Sequence, residues 1–166
     1  MESDNSREKV QVGLLMGVFD MFHIGHLRLI RRAKEECRFL RVAVLSDELV
    51  MKFKGHAPVI PLAERMEVLA AVRGVDEVVP VYDDPSRLAE WHRRPFDVFF
   101  SGDDYAGNAY WEWERGELRK LGADIRFFSY TKEQSSTAIR EKMAQANSGE
   151  RLPSAGTGGE EKGKMS

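Results

Sequence analysis

His23 and His26 stand three residues apart in the segment Gly17-Val18-Phe19-Asp20-Met21-Phe22-His23-Ile24-Gly25-His26. On the first turn of a helix that spacing places both imidazoles on one side. A helix start also offers unpaired backbone N–H groups and the positive end of the helix dipole, and both favour phosphate. Gly25 removes a side chain where a polyphosphate needs close backbone approach, and Gly17 is expected to do the same at the end of the preceding apolar run. The chemistry these residues suit is the binding and transfer of phosphate-containing groups. A zinc site fits less well, because no third ligand is evident and the glycine between the histidines points to backbone contact.

Such a turn must be positioned by its neighbours. Leu14 to Met16, Val42 to Leu45, Val78 to Val81, Val98 to Phe100 and Ile125 to Phe128 are short apolar runs. Most are rich in branched or aromatic residues, which fits buried strands. Helical spacing links Leu27, Ile30, Ala33 and Cys37, then Leu62, Met66 and Leu69, then Trp111, Leu118 and Leu121, then Ile139 and Met143. Asp84-Pro85 reads as an N-cap and first-turn proline opening a short helix through Leu88 and Trp91. This alternation predicts an α/β fold: a single Rossmann-like, doubly wound parallel sheet of about five strands with helices on both faces. Ligands of such sheets sit outside the carboxyl ends of the strands, where the strand order switches. Loops at the carboxyl ends of strands therefore carry the function. The domain is expected over 10–146, and 147–166, without apolar periodicity, reads as a disordered tail.

The 166 residues suffice for one domain with one substantial core. A net charge of −2 gives no broad basic field, which argues against nucleic acid as a primary partner. Cys37, the sole cysteine, rules out an internal disulfide and a multi-cysteine metal site, and reads as a small core thiol. No apolar run reaches membrane-spanning length, and the polar stretch Met1 to Lys9 is unlike a signal peptide. A cytoplasmic protein with no membrane partner is the expectation.

Three further constellations stand after strands. Ser46-Asp47-Glu48 leads to Lys52-Phe53-Lys54-Gly55, a basic loop, before Pro61 opens the helix that carries Arg65 off its buried stripe. Ser101-Gly102-Asp103-Asp104-Tyr105 ends the fourth strand, with Asp104 available as a cap for the next segment. Ser135-Ser136-Thr137-Ala138-Ile139-Arg140 places hydroxyls at a helix start, a setting for β- and γ-phosphates.

The Gly17–His26 string resembles the signature of the cytidylyltransferase-like nucleotidyltransferases. Its spelling is similar to glycerol-3-phosphate cytidylyltransferases, over about Val12 to Met143. The His23–His26 tetrapeptide also matches a class I aminoacyl-tRNA synthetase signature, but the chain is far too short for one. The nucleotidyltransferase resemblance implies catalytic roles for His23, His26 and a lysine, Lys54 being preferred slightly over Lys52, which is then kept for substrate. It implies nucleotide contacts from Gly17, Val18, Phe19, Asp20, Gly25, Arg65, Gly102, Asp103, Ser136, Thr137 and Arg140. Tyr105, at the position of a family tryptophan, would face the substrate. In the last motif the sequence departs from the glycerol-3-phosphate enzymes, with Tyr130 and Glu133 where they carry arginine and glycine. The Ser-Ser-Thr-x-Ile-Arg spelling instead resembles the adenylyltransferase branch, with Arg140 meeting phosphate.

The leading expectation is thus transfer of CMP from CTP to a phosphorylated polyol such as glycerol 3-phosphate, with Mg²⁺ held mainly by substrate phosphates and the enzyme a homodimer. The alternatives are an adenylyltransferase acting on a sugar phosphate or cofactor precursor, and a nucleotide-binding module without catalysis. The aromatics from Tyr105 to Trp113 fit either an acceptor pocket or a subunit contact.

Overall fold

The computed structural model describes residues 8–129 and 136–149. Within them strands and helices alternate: β1 (Val10–Gly17), α1 (Ile24–Glu36), β2 (Cys37–Leu45), α2 (Asp47–Lys54), α3 (Leu62–Ala70), β3 (Glu77–Val81), α4 (Arg87–Arg93), β4 (Val98–Gly102), a 3-10 turn (Asp103–Tyr105), α5 (Ala109–Lys120), β5 (Asp124–Phe128) and α6 (Ser136–Gly149). All strand pairs are parallel, in the order β3-β2-β1-β4-β5, so the fold is the expected Rossmann-like α/β sheet.

Successive side chains of β1 and β4 divide between two apolar layers. Leu15 and Phe100 join Ile30, Ala33 and Leu69 on one face of the sheet. Leu14 and Phe99 join Trp111, Leu118 and Leu49 on the other. Pro80 cannot donate to a ladder, and β3 is an edge strand where none is needed on the outer side. Gly13 has a packing reason: a Cβ there would stand 2.5 Å from the Phe100 ring and 2.8 Å from Cys37 Sγ.

The chain lays down β1, β2 and β3 outward, then returns to place β4 on the far side of β1. β1 and β4 pair only at Gly13–Val98 and Leu14–Phe99. Both then run on unpaired with each other (residues 15–17 and 100–102) toward their carboxyl ends. A crevice therefore opens at the strand-order switch, where a parallel sheet takes its ligand.

Several local expectations change. Cys37 does not continue α1 but begins β2, fully buried beside Gly13. α1 ends at Glu36 and passes straight into the strand, so the apolar spacing spans two elements. The basic loop of residues 47–54 is a helix, with Ser46 Oγ accepting from Leu49 N and Gly55 closing the end at φ 77°. Ser46 and first-turn Asp47 and Glu48 are the start signals. The Asp84-Pro85 cap is displaced: Ser86 caps α4, while Asp84 Oδ1 accepts from Ser86 N. Asn108, not Asp104, caps α5, accepting from Tyr110 N and Trp111 N. α6 reaches Gly149, past the expected boundary at 146, and the rest of the tail lies outside the described residues. Among the described residues no helix is long and apolar enough to cross a membrane.

Candidate active site

The turn after β1 is strained. Phe19 and Met21 adopt positive φ values of 53° and 49°, a region that non-glycine residues rarely enter. This conformation folds the Phe19 ring back over Gly17, where an added Cβ would meet it at 3.3 Å. The missing side chain of Gly17 makes room for Phe19, which is buried.

His23 and His26 do come together. His23 is the N-cap of α1; its Nδ1 accepts from Gly25 N at 3.0 Å, and His26 Nδ1 accepts from His23 N at 3.3 Å. The rings stack with centroids 3.8 Å apart. Phe19 and Phe22 close around His26 at 5.3 and 5.5 Å. Burial, and then the neighbouring His23, push the His26 pKa down to about 4 against the opposing pull of Asp20. Burial lowers that of His23 as well. Both rings are thus neutral at physiological pH. With each Nδ1 accepting a backbone hydrogen bond, the proton sits on Nε2, which becomes a donor.

Asp20, expected at the nucleotide, is a buried structural hub. Its Oδ1 accepts from Ile60 N at 2.9 Å, and Oδ2 accepts from Val59 N at 2.8 Å and from Arg140 Nη2 at 2.5 Å. One carboxylate thereby joins the histidine turn, the 55–60 loop and α6. Asp20 also lines the cavity described below, whereas Arg65 departs from expectation. It is buried, not free to reach a ligand. It donates to Ile60 O, Val18 O, Leu45 O and Asp47 Oδ1 at 2.6 to 2.9 Å. The carbonyls beyond β1 and β2 need donors, and an arginine fork on the adjacent α3 meets them.

A cavity of about 180 Å³ opens over this frame, lined by Val18, Phe19, Asp20, His26, Val50, Lys54, His56, Pro58 and Arg140. The structure therefore brings Val18, Phe19, Asp20, His26, Lys54 and Arg140 together. Lys52 is not among the lining residues; it lies over the exposed Phe53 ring at 5.9 Å. Gly102 ends β4 across the switch point and Asp103 begins the 3-10 turn after it, both outside that lining. Tyr105 stacks on Trp111 at 4.5 Å, and the Arg87 guanidinium lies 3.8 Å from the same Trp111 ring. Thr137 is exposed in the first turn of α6, which begins at Ser136 as the hydroxyl motif suggests. Tyr130, Glu133 and Ser135 lie outside the described residues. His56 lines the cavity but carries no sequence signal, being a lone histidine after a glycine.

Residues 14–142 match the cytidylyltransferase-like family. The chain belongs to this family. The family is one of nucleotidyltransferases, a class that transfers the nucleotidyl group of a nucleoside triphosphate to an acceptor. FAD synthase of Pyrococcus horikoshii is 46% identical over 137 residues, 80% of this chain and 90% of that protein. The bifunctional protein HldE of Hahella chejuensis is 37% identical over 129 residues, 76% of this chain but 26% of that protein. The chain thus spans about a quarter of the length of this HldE relative. A lipopolysaccharide core biosynthesis protein of Thermoplasma volcanium superposes with a TM-score of 0.61 at 20% identity, covering 73% of this chain and 98% of that one. That likeness concerns the fold. The expected closeness to glycerol-3-phosphate cytidylyltransferases gives way to FAD synthase and HldE, and CTP loses its support. The adenylyltransferase-like spelling at Ser136, Thr137 and Arg140 points the same way.

Proposed function

We propose that this chain is an adenylyltransferase that joins the AMP of ATP to the phosphate of FMN, giving FAD and pyrophosphate. The reaction class is carried by one observation: His26, Lys54 and Arg140 converge in a cavity at the start of α1, beside the carboxyl end of β1. The choice of ATP and FMN is supported by the 46% identity to an FAD synthase along nine-tenths of that protein's length.

A terminal phosphate oxygen of the acceptor attacks the α-phosphorus in line. The new O–P bond forms as the bond from the α-phosphorus to the bridging oxygen breaks, and its electron pair leaves with pyrophosphate. The attacking phosphate is already ionised near neutral pH, so the protein needs no nucleophile or base. Its task is to align the substrates and stabilise charge growing on the α-phosphate and the leaving group. Neutral His26 donates Nε2–H without presenting a full charge, while Lys54 and Arg140 supply the positive charge. The cavity's donors suit phosphate oxygens better than a metal ion, and no cluster of three or more His, Cys, Asp or Glu stands among the described residues. Magnesium, in this reading, travels with the triphosphate and screens its charge.

Transfer to a sugar phosphate is the second reading, favoured by the HldE likeness over 76% of this chain. Pyrophosphate release from ATP, CTP or UTP, each paired with FMN, a sugar 1-phosphate or glycerol 3-phosphate, separates them. Release with ATP and FMN is the expected result. Release only with CTP and glycerol 3-phosphate overturns the assignment, and release with no pair favours a binding module.

A further inference from the structure

α5 buries one side and leaves the other in solvent. Trp111, Glu114 and Leu118, at spacings of three and four, form the buried side; Trp111 packs against Phe99, and the Glu114 carboxylate accepts from Arg87. The solvent side carries Tyr110 and Trp113, each 54% exposed, their rings stacked on one another with centroids 5.9 Å apart. Gly116 stands opposite the buried side. A Cβ there would meet nothing within 4 Å beyond its own helix among the described residues. Glycine is less favourable than alanine inside a helix, and Gly116, unlike Gly13, has no packing reason within this chain's described residues.

The residues around Gly116 are arranged with opposite character on its two sides. Glu112 lies one turn before it and Lys120 one turn after; Trp113 and Arg119 flank it at the next shorter spacing. All four are exposed, and they fall within about 60° of Gly116 around the helix axis. Within the chain Lys120 pairs with Glu117 at 2.8 Å and Arg119 with Asp124 at 3.2 Å. Exposed pairs of this kind contribute little, so they do not hold either cation against a competing partner.

We propose that this face of α5 is the contact between two copies of the chain, the two helices running antiparallel with the twofold axis at Gly116. In such a self-complementary contact, residues equally far before and after the axis meet. Glu112 then faces Lys120 of the second copy, and Trp113 faces Arg119 of the second copy. A carboxylate meets an ammonium, a ring meets a guanidinium, and each pairing occurs twice. Gly116 lets the two backbones approach at the crossing point, and Tyr110 and Trp113 leave water together. A parallel pairing would set Glu112 against Glu112 and Lys120 against Lys120, so the charges select the antiparallel one. The aromatics from Tyr105 to Trp113 thereby divide: Tyr105 and Trp111 stack within one copy, while Tyr110 and Trp113 serve the contact.

Sedimentation velocity of the full-length protein, from about 1 to about 100 μM, tests this. The wild type should sediment as a dimer. Glu112→Lys and Lys120→Glu each set like charges together at two symmetric places, and each should weaken self-association at least about tenfold. An equimolar mixture of these two variants should dimerise again, because every pairing across the mixed contact then joins opposite charges. Gly116→Gln fills the crossing point and should abolish the dimer while circular dichroism shows an unchanged fold, glutamine being the better helix former. A wild type that is monomeric throughout the range overturns the proposal and leaves the face to a partner of another kind. A dimer that none of the variants loosens overturns it by placing the contact elsewhere. So does a mixture of the two charge variants that associates no better than either alone.

Discussion

His26 is neutral because Phe19, Phe22 and His23 enclose it, and that neutrality bears on stability as well as on the proposed binding role. An unfolded chain's imidazole takes up a proton near pH 6.5, whereas folded His26 resists until about 4. The unfolded state therefore binds more protons between those values, so stability is complete above the window and falls as pH drops through it. The difference is worth roughly 3 kcal/mol at the bottom of the window. Denaturant unfolding at pH 7.5 and 4.5 should show that loss, and His26→Gln should shrink it; an unchanged slope in the variant would assign the effect to other groups. His26→Ala should cut turnover by about 10²–10³ while folding persists, since one preorganised donor is removed. Near-normal turnover, with circular dichroism confirming the fold, would contradict the role given to it. The histidine pair is legible in the sequence because its spacing alone puts two rings on one helical side. The role of Asp20 is not: its partners, Val59, Ile60 and Arg140, lie 39 to 120 positions away. Replacing it with alanine removes the buried carboxylate that Arg140 meets and should cost about 3 kcal/mol, read from the denaturation midpoint.

Elements decide what residue types leave open. Lys52 and Lys54 cannot be separated while their segment reads as a loop. On α2, two positions are about 200° apart around the axis, and the cavity side falls to Lys54. Lys54→Ala should lower kcat/KM with the nucleotide about a hundredfold, and Lys52→Ala by less than about threefold; equal effects in steady-state assays would contradict this division. Arg65 escapes the sequence for a related reason. Its position off the apolar stripe of α3 is visible there, but the carbonyls of Val18 and Leu45 waiting at the ends of β1 and β2 are not. In β1, Gly13→Ala should destabilise the fold by about 1–3 kcal/mol, because the added methyl meets Phe100 and Cys37 in a filled layer. Thermal melts check it, and an unchanged midpoint would mean that those neighbours can yield.

For the molecule as a whole, strand–helix alternation makes the parallel sheet legible, and the handed connection rule leaves few ways to assemble it. The crevice is a consequence of strand order: β1 and β4 part after Leu14 and Phe99, and the histidine turn lies at the end of β1. Substrate identity is less legible. The Gly17–His26 string encodes a phosphate-handling turn common to enzymes that use different bases and acceptors, and the residues that choose among them come from other elements. The proposed use of ATP rests on the spelling at Ser136, Thr137 and Arg140, which resembles the adenylyltransferase branch, and on likeness to FAD synthase and HldE. The most direct test of nucleotidyl transfer traces the phosphorus atoms. ATP labelled with phosphorus-32 at the α position, incubated with the protein and FMN, should deliver its label to FAD, while ATP labelled at the γ position should deliver its label to pyrophosphate alone. Label from the γ position appearing on the flavin, or α label that never leaves ATP, would contradict it.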